Sequence, residues 1–301
     1  MSDPTIEMLS ALFAQERIAP HLAAILAPDY LALSRWIEAL QRKAPQRTLF
    51  LGICGAQGSG KPTLTLALTR LLSARGLGVA QFSLDDFYLE KASRADLSRT
   101  VHPLLATRGV PGTHNLVLLR RTIALLKAST SASVTPIPRF DKSQDNPFAE
   151  TDWPAFVGRA DIILFEGWCV GAKAQPASAL AHPVNALERD EDGDGIWRTC
   201  VNARLSSDYD SLFGQLDDLI MLRAPGFETV LSWRREQEAK LRLKRGGAKN
   251  PGVMTAADLE RFVMHYERMT RDILAEMPQR AGAIVGLSSN REIESIDFTR
   301  A

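Results

Sequence analysis

Hydrophobic positions along this chain change their period several times, and those changes divide it into elements. Residues 5 to 43 carry helical spacing: Ile6, Leu9, Leu12 and Phe13, then Leu22, Ile25 and Leu26, then Tyr30, Leu33, Trp36, Ile37 and Leu40. From about residue 47 the pattern alternates. Short apolar runs at 48–54, 79–84, 134–137, 161–166 and 217–222 read as strands between helical stripes, and a last short strand is expected around Ala283 to Leu287. Strand-like runs alternating with helical ones predict an α/β fold, a parallel sheet with helices on both faces. Residues 1–46 are then a helical extension packed on a main domain of 47–301. The segment 171–200 has weak periodicity and many turn formers, so it reads as a long loop or small insertion and not a second domain. Residues 255–277 place Leu259, Phe262, Val263, Tyr266, Met269, Ile273, Leu274 and Met277 on one face of a long amphipathic helix.

Composition adds mainly exclusions. With 301 residues, 45% of them hydrophobic, the chain has ample material for a packed core. A net charge of +1 gives no bulk electrostatic reason to expect nucleic acid or an anionic membrane as partner. Cys54, Cys169 and Cys200 are odd in number and widely spaced, which suits reduced thiols and a cytoplasmic setting. The N-terminal residues lack a secretory pattern, and no apolar run is long enough to span a bilayer.

Residues 48 to 63 carry the most specific chemistry. An apolar run from Leu49 to Cys54 leads into Gly55-Ala56-Gln57-Gly58-Ser59-Gly60-Lys61-Pro62-Thr63, followed by a helical stripe of Leu64, Ala67, Leu68, Leu71 and Leu72. Strand, glycine loop and helix in that order fit a phosphate-binding loop, in which backbone N–H groups cradle phosphates and the lysine reaches the β- and γ-phosphates. The pattern normally closes on a hydroxyl that binds Mg²⁺, and here Pro62 occupies that position. Proline removes both the hydroxyl and a backbone N–H, although it is sterically acceptable at a helix start. Thr63 offers the next hydroxyl, but one helical residue is a turn of ~100°, which makes it a weak substitute.

Phosphoryl transfer also needs a base, a metal anchor and groups that hold the acceptor. Asp85, just after the second strand in Ser83-Leu84-Asp85-Asp86-Phe87-Tyr88, is the candidate base, because open parallel sheets bind ligands at the carboxyl ends of their strands. Asp86 is a candidate to orient substrate or assist the metal, and a helix cap is the alternative for the pair. Glu166 ends the run Asp161 to Glu166 and is the candidate Mg²⁺ residue, with structural pairing to Lys or Arg as the alternative. Arg108 and His114 in the loop 102–115, and Arg139 and Lys142 in 138–146, are candidates for an anionic or polyhydroxy substrate. The basic segment from Trp233 to Arg245, with Arg234 and Arg235, is either a solvated helix or a lid that brings an arginine to the transferred phosphate. Asp190-Glu191-Asp192-Gly193-Asp194 begins like a calcium loop, but Val201 stands at its twelfth position, which rejects calcium binding.

Taken in order, the phosphate loop, Ser83 to Tyr88, Thr107 to His114, Pro138 to Ser143, Phe165 to Gly171 and Trp233 to Glu238 resemble the D-glycerate 3-kinase-like phosphate-loop kinases, relatives of uridine kinase, phosphoribulokinase and pantothenate kinase. The resemblance runs from about residue 48 to 300. It implies a P-loop NTPase-type sheet and ATP-dependent, Mg²⁺-assisted phosphorylation of a small hydroxylated metabolite, with D-glycerate favoured. It matches Lys61, Asp85 and Glu166 to catalytic positions, and Tyr88 joins the substrate-side candidates. Three positions depart from the family pattern: Pro62 for serine, Asn115 for aspartate, and Asn146-Pro147 for Asp-Arg after Asp145. Each is expected to remove a charge or ligand near the site. A catalytically impaired relative of the same fold, or a kinase for a nucleoside, pantothenate or another sugar acid, are the competing readings.

Overall fold

Seven consecutive residues, Leu49–Gly55, are fully buried and form β1. Successive side chains of a strand point to opposite faces, so a run that is apolar throughout needs cover on both. Phe50 and Cys54 enter a core with Phe82, Ile163, Phe165, Leu119 and Tyr209. Leu49, Leu51 and Ile53 enter a second core with Leu9, Phe13, Leu33, Ile37, Leu64 and Leu68.

A computed structural model of the chain describes residues 4–15, 21–244 and 255–299, with side chains omitted at 240–244. The helices are α1 (Pro4–Gln15), α2 (Leu22–Arg42), α3 (Lys61–Ser73), α4 (Lys91–Thr100), α5 (Leu116–Lys127), α6 (Ala186–Glu191), α7 (Ile196–Arg204), α8 (Asp210–Phe213), α9 (Phe227–Lys244) and α10 (Ala256–Glu276). The strands after β1 are β2 (Val79–Ser83), β3 (Val134–Pro136), β4 (Phe140–Asp141), β5 (Asn146–Pro147), β6 (Ala155–Val157), β7 (Ile162–Gly167), β8 (Asp218–Arg223), β9 (Ala283–Leu287) and β10 (Ile293–Phe298). The main sheet has the order β10-β9-β8-β1-β7-β2. Its first five strands in sequence are parallel, and β10 joins antiparallel to β9 at the edge. Among the described residues no helix is long and apolar enough to cross a membrane.

The expected parallel α/β sheet is present, with two corrections. The run 134–137 is a strand, but β3 pairs antiparallel with β6 in a separate ribbon; its pattern of exposed, buried, exposed residues does not suit a strand covered on both faces. The segment 171–200 is not a loop throughout, because α6 and the start of α7 lie within it. Two buried carboxylates organise these short helices: Asp192 accepts from the Trp197 and Arg198 amides, and Glu188 pairs with Arg268 of α10.

The sheet order positions the chemistry. β7 lies between β1 and β2, with Ile53 in register with Glu166, and Glu166 in register with Ser83. The carboxyl ends of three neighbouring strands therefore present the phosphate loop, Glu166 and the Asp85 turn side by side.

Candidate functional site

The loop between β1 and α3 is shaped by its glycines. Gly58 and Gly60 have φ of 85° and 89°, the left-handed region that side chains resist. Gly55 serves a different need: a Cβ there would lie 2.8 Å from Ser59 Oγ and 3.2 Å from Lys61 Cγ. Lys61 opens α3, is 8% exposed, and folds back so that Nζ donates to the Ala56 carbonyl at 3.3 Å. Ser59 Oγ is buried without a hydrogen-bond partner. A cradle of left-handed glycines, an unpartnered hydroxyl and a converging ammonium suit a phosphate chain.

Pro62 is the second residue of α3 and is exposed. The first four amides of a helix have no intrahelical acceptor, so proline here costs the helix no hydrogen bond. Its cost falls on the ligand side alone. Thr63, one residue on, is half-buried.

The two aspartates after β2 divide their work. Asp86 belongs to a capping box: Oδ2 accepts from the Ser83 amide at 3.1 Å and from Arg139 Nη1 at 2.8 Å. Burial raises its carboxyl pKa, and Arg139 opposes that rise. Asp85 is half-buried, with Oδ1 accepting from Tyr88 Oη and Oδ2 from Lys142 Nζ, both at 2.7 Å. Burial pushes the Asp85 carboxyl up, but the Lys142 charge, its hydrogen bond and the Tyr88 hydroxyl outweigh it and hold the group below the usual carboxylate range. Glu166 is 8% exposed, and burial raises its pKa against the pull of Lys61. The Ser83 hydroxyl also works against that rise, while Asp85 adds repulsion.

The other predicted residues separate into those near this centre and those held elsewhere. Arg139 and Lys142 converge on Asp86 and Asp85. Arg108 pairs with Asp145, which also takes the buried Arg94 at 2.7 Å. His114 is not an exposed substrate contact: its ring stacks on Tyr88 at 4.9 Å and its Nδ1 lies 2.6 Å from Tyr209 Oη. Gly58 touches α9, since a Cβ there would meet Trp233 Cβ at 2.8 Å, and Arg234 lies one residue beyond Trp233 over the Phe262 ring. Arg235 turns instead to Glu260 of α10, because adjacent helical residues diverge by ~100°. The glycine-terminated end of the basic segment, from residue 245, lies outside the described residues.

Two departures lose their expected significance. Asn115 caps α5 by accepting from the Leu118 amide at 3.0 Å, a task that Asn and Asp perform alike. Asn146 Oδ1 accepts from the Lys91 amide at the start of α4, and Pro147 pairs with Phe140 in the β4–β5 hairpin. Two contributors were missed from sequence. Tyr266 donates to the Arg108 carbonyl at 2.8 Å and packs edge-on against Trp168; Trp233 buttresses Gly58. Both sit in helical stretches where an aromatic reads as ordinary core or surface.

Among the described residues no group of three His, Cys, Asp or Glu side chains is placed to hold a metal. That donor set still suits Mg²⁺, which uses one or two carboxylates, water and substrate phosphates in place of a protein cage. Glu166 is the residue that would hold it.

Buried histidines predict the acid behaviour of the fold. Burial lowers the pKa of both His114 and His265 from 6.5 to about 4. The unfolded chain therefore takes up protons first as pH falls below 6.5, and stability declines until pH reaches about 4. At pH 5 the loss is roughly 2 kcal/mol for each histidine, offset in part by Glu166 and Asp86, whose raised pKa values favour the folded state at low pH. Urea unfolding midpoints should fall clearly between pH 7 and pH 5. A flat profile would contradict neutral burial of these rings.

No protein-family model matches the chain. It is 33% identical over 236 residues to an uncharacterized kinase of Schizosaccharomyces pombe, covering 75% of this chain and 81% of that protein. It is 32% identical over 238 residues to the chloroplastic D-glycerate 3-kinase of Arabidopsis thaliana, covering 76% of this chain but 49% of that protein, so it spans about half of that relative's length. The fold matches that of a D-glycerate 3-kinase from Cryptococcus neoformans var. grubii with a TM-score of 0.73 at 24% identity, over 89% of this chain and 98% of that one.

Proposed function

The chain belongs to the D-glycerate 3-kinase-like family of phosphate-loop kinases, and on that premise we propose that it transfers the γ-phosphoryl group of ATP to a hydroxyl of D-glycerate. The observation that carries this reading is the alignment of the phosphate loop, Glu166 and Asp85 at the ends of adjacent strands. Residues 55–61 hold the phosphates, and Arg234 of α9, which lies over the Phe262 ring beside Trp233, is the arginine that would join them. Glu166, water and the Thr63 hydroxyl would hold Mg²⁺, which when bound neutralises charge on the phosphate oxygens. Asp85 accepts the hydroxyl proton as the acceptor oxygen bonds to phosphorus and ADP leaves. Arg108, Arg139 and Lys142 supply the positive field for an acid. The helices before residue 47 are read as an extension of this kinase domain.

Pro62 favours one second reading, a relative with catalysis lost, since both groups it removes would face the nucleotide. Mg²⁺-ATP turnover with D-glycerate, measured for the natural protein and for Pro62→Ser, separates the two. Turnover is expected in both, roughly tenfold or more faster with serine, by the scale on which supporting metal-site groups act. Activity in the serine variant alone would establish the impaired relative. No activity in either would overturn D-glycerate as acceptor and direct a panel of nucleosides, pantothenate and sugar acids.

A further inference from the structure

The cations on the acceptor side are all engaged, but their partners differ in kind. Arg139 is held by Asp86, which the capping box fixes in place. Arg108 shares Asp145 with Arg94, itself 2% exposed and bonded to the Leu89 and Ala106 carbonyls. Lys142 alone among these three is paired with the carboxylate read above as the base. It is also the most exposed of them, at 58% of its side chain, in the short connection between the two-residue strands β4 and β5.

That pairing conflicts with the work assigned to Asp85. Tyr88 Oη occupies one carboxylate oxygen and Lys142 Nζ the other, each at 2.7 Å. A carboxylate that already accepts two donors, one of them charged, is a weak base, and the Lys142 ammonium on Oδ2 competes with a hydroxyl for that oxygen. Tyr88 cannot yield easily, because it is buried between His114 and Phe140. Lys142 can: an exposed lysine pair is weak and its stem has freedom to swing.

We infer that Lys142 is a specificity switch, drawn from Asp85 onto the carboxylate of the incoming acceptor, so that the base is uncovered only for an acidic substrate. This rests on the assignment of Asp85 as base. When the acceptor's carboxylate takes the ammonium, Oδ2 is released to receive the proton of the acceptor hydroxyl, whose oxygen then bonds to the γ-phosphorus as the bond to ADP breaks. Charge on the acceptor is thereby read in kcat as well as in KM. A cation that merely held the acid would act on KM and leave the base equally available to neutral substrates.

The test compares D-glycerate with glycerol, its neutral analogue in which CH₂OH replaces the carboxylate, in the natural protein, in Lys142→Met and in Lys142→Arg. The natural protein should prefer D-glycerate in kcat/KM by at least about a hundredfold, the scale set by a site built for a group that the analogue lacks. In Lys142→Met, D-glycerate turnover should fall while glycerol turnover rises several-fold, and Lys142→Arg should restore the preference. Lys142 is exposed, so thermal midpoints of the variants should match that of the natural protein. A loss shared equally by both acceptors, or a kcat preference for D-glycerate undiminished in Lys142→Met, overturns the switch. Absence of turnover with either acceptor in the natural protein would instead overturn D-glycerate phosphorylation by this chain, and the switch with it.

Discussion

Asp85→Asn should lower kcat with D-glycerate by roughly a thousandfold, within the range that a positioned base contributes, while ATP affinity changes less than about twofold. The amide keeps the shape of the side chain and can still accept the Tyr88 hydroxyl on one oxygen, so the turn after β2 stays built. What disappears is the proposed proton acceptor. Folding should hold, because the lost Lys142 pair is partly exposed at both ends and such pairs contribute about 1 kcal/mol or less. The neighbouring Asp86→Asn provides the contrast. Asp86 accepts from the Ser83 amide and Arg139 within a capping box, so its loss should appear first as a lower melting temperature, with residual turnover well above that of Asp85→Asn. Initial rates with saturating Mg²⁺-ATP, together with calorimetric ATP titration, decide the point. Asp85→Asn retaining more than about a tenth of the natural rate would remove Asp85 from the chemistry.

The roles of these residues were unequally legible before the fold was known. β1, the glycine loop and α3 announce themselves because continuous burial, left-handed turns and helical spacing each restrict the residues allowed. The ends of β2 and β7 follow from the same logic, and sheet order then brings Glu166 beside the loop. Antiparallel β10 was not read at all. Its residues are half-buried or exposed, so no apolar run marks it, and only pairing with β9 makes it a strand. Side-chain partnerships were hidden for a different reason. Lys142 reaches Asp85 across 57 residues, and Tyr266 reaches the Arg108 carbonyl across 158; no local period encodes such contacts. Asn115 and Asn146 illustrate the converse. They read as lost charges at a site, whereas their side-chain oxygens bond to backbone amides of α5 and α4.

Glu166→Gln separates function from stability most sharply. Turnover should fall by on the order of a hundredfold or more, and the Mg²⁺ concentration for half-maximal rate should rise at least about tenfold, since a neutral amide anchors a hydrated cation poorly. The melting temperature should hold or rise by up to about 3 °C. The sign follows from the surroundings: the carboxylate is buried, its pKa is raised by that burial, and Asp85 repels it while Lys61 offsets only part of the cost. Glutamine has nearly the same shape, keeps an acceptor oxygen, and removes the charge that folding must desolvate. Had Glu166 been one half of a structural ion pair, the same change would strand a buried cation and cost about 3–5 kcal/mol. A melting temperature that drops steeply while Mg²⁺ dependence stays unchanged would therefore reassign Glu166 from metal anchor to structural partner of Lys61.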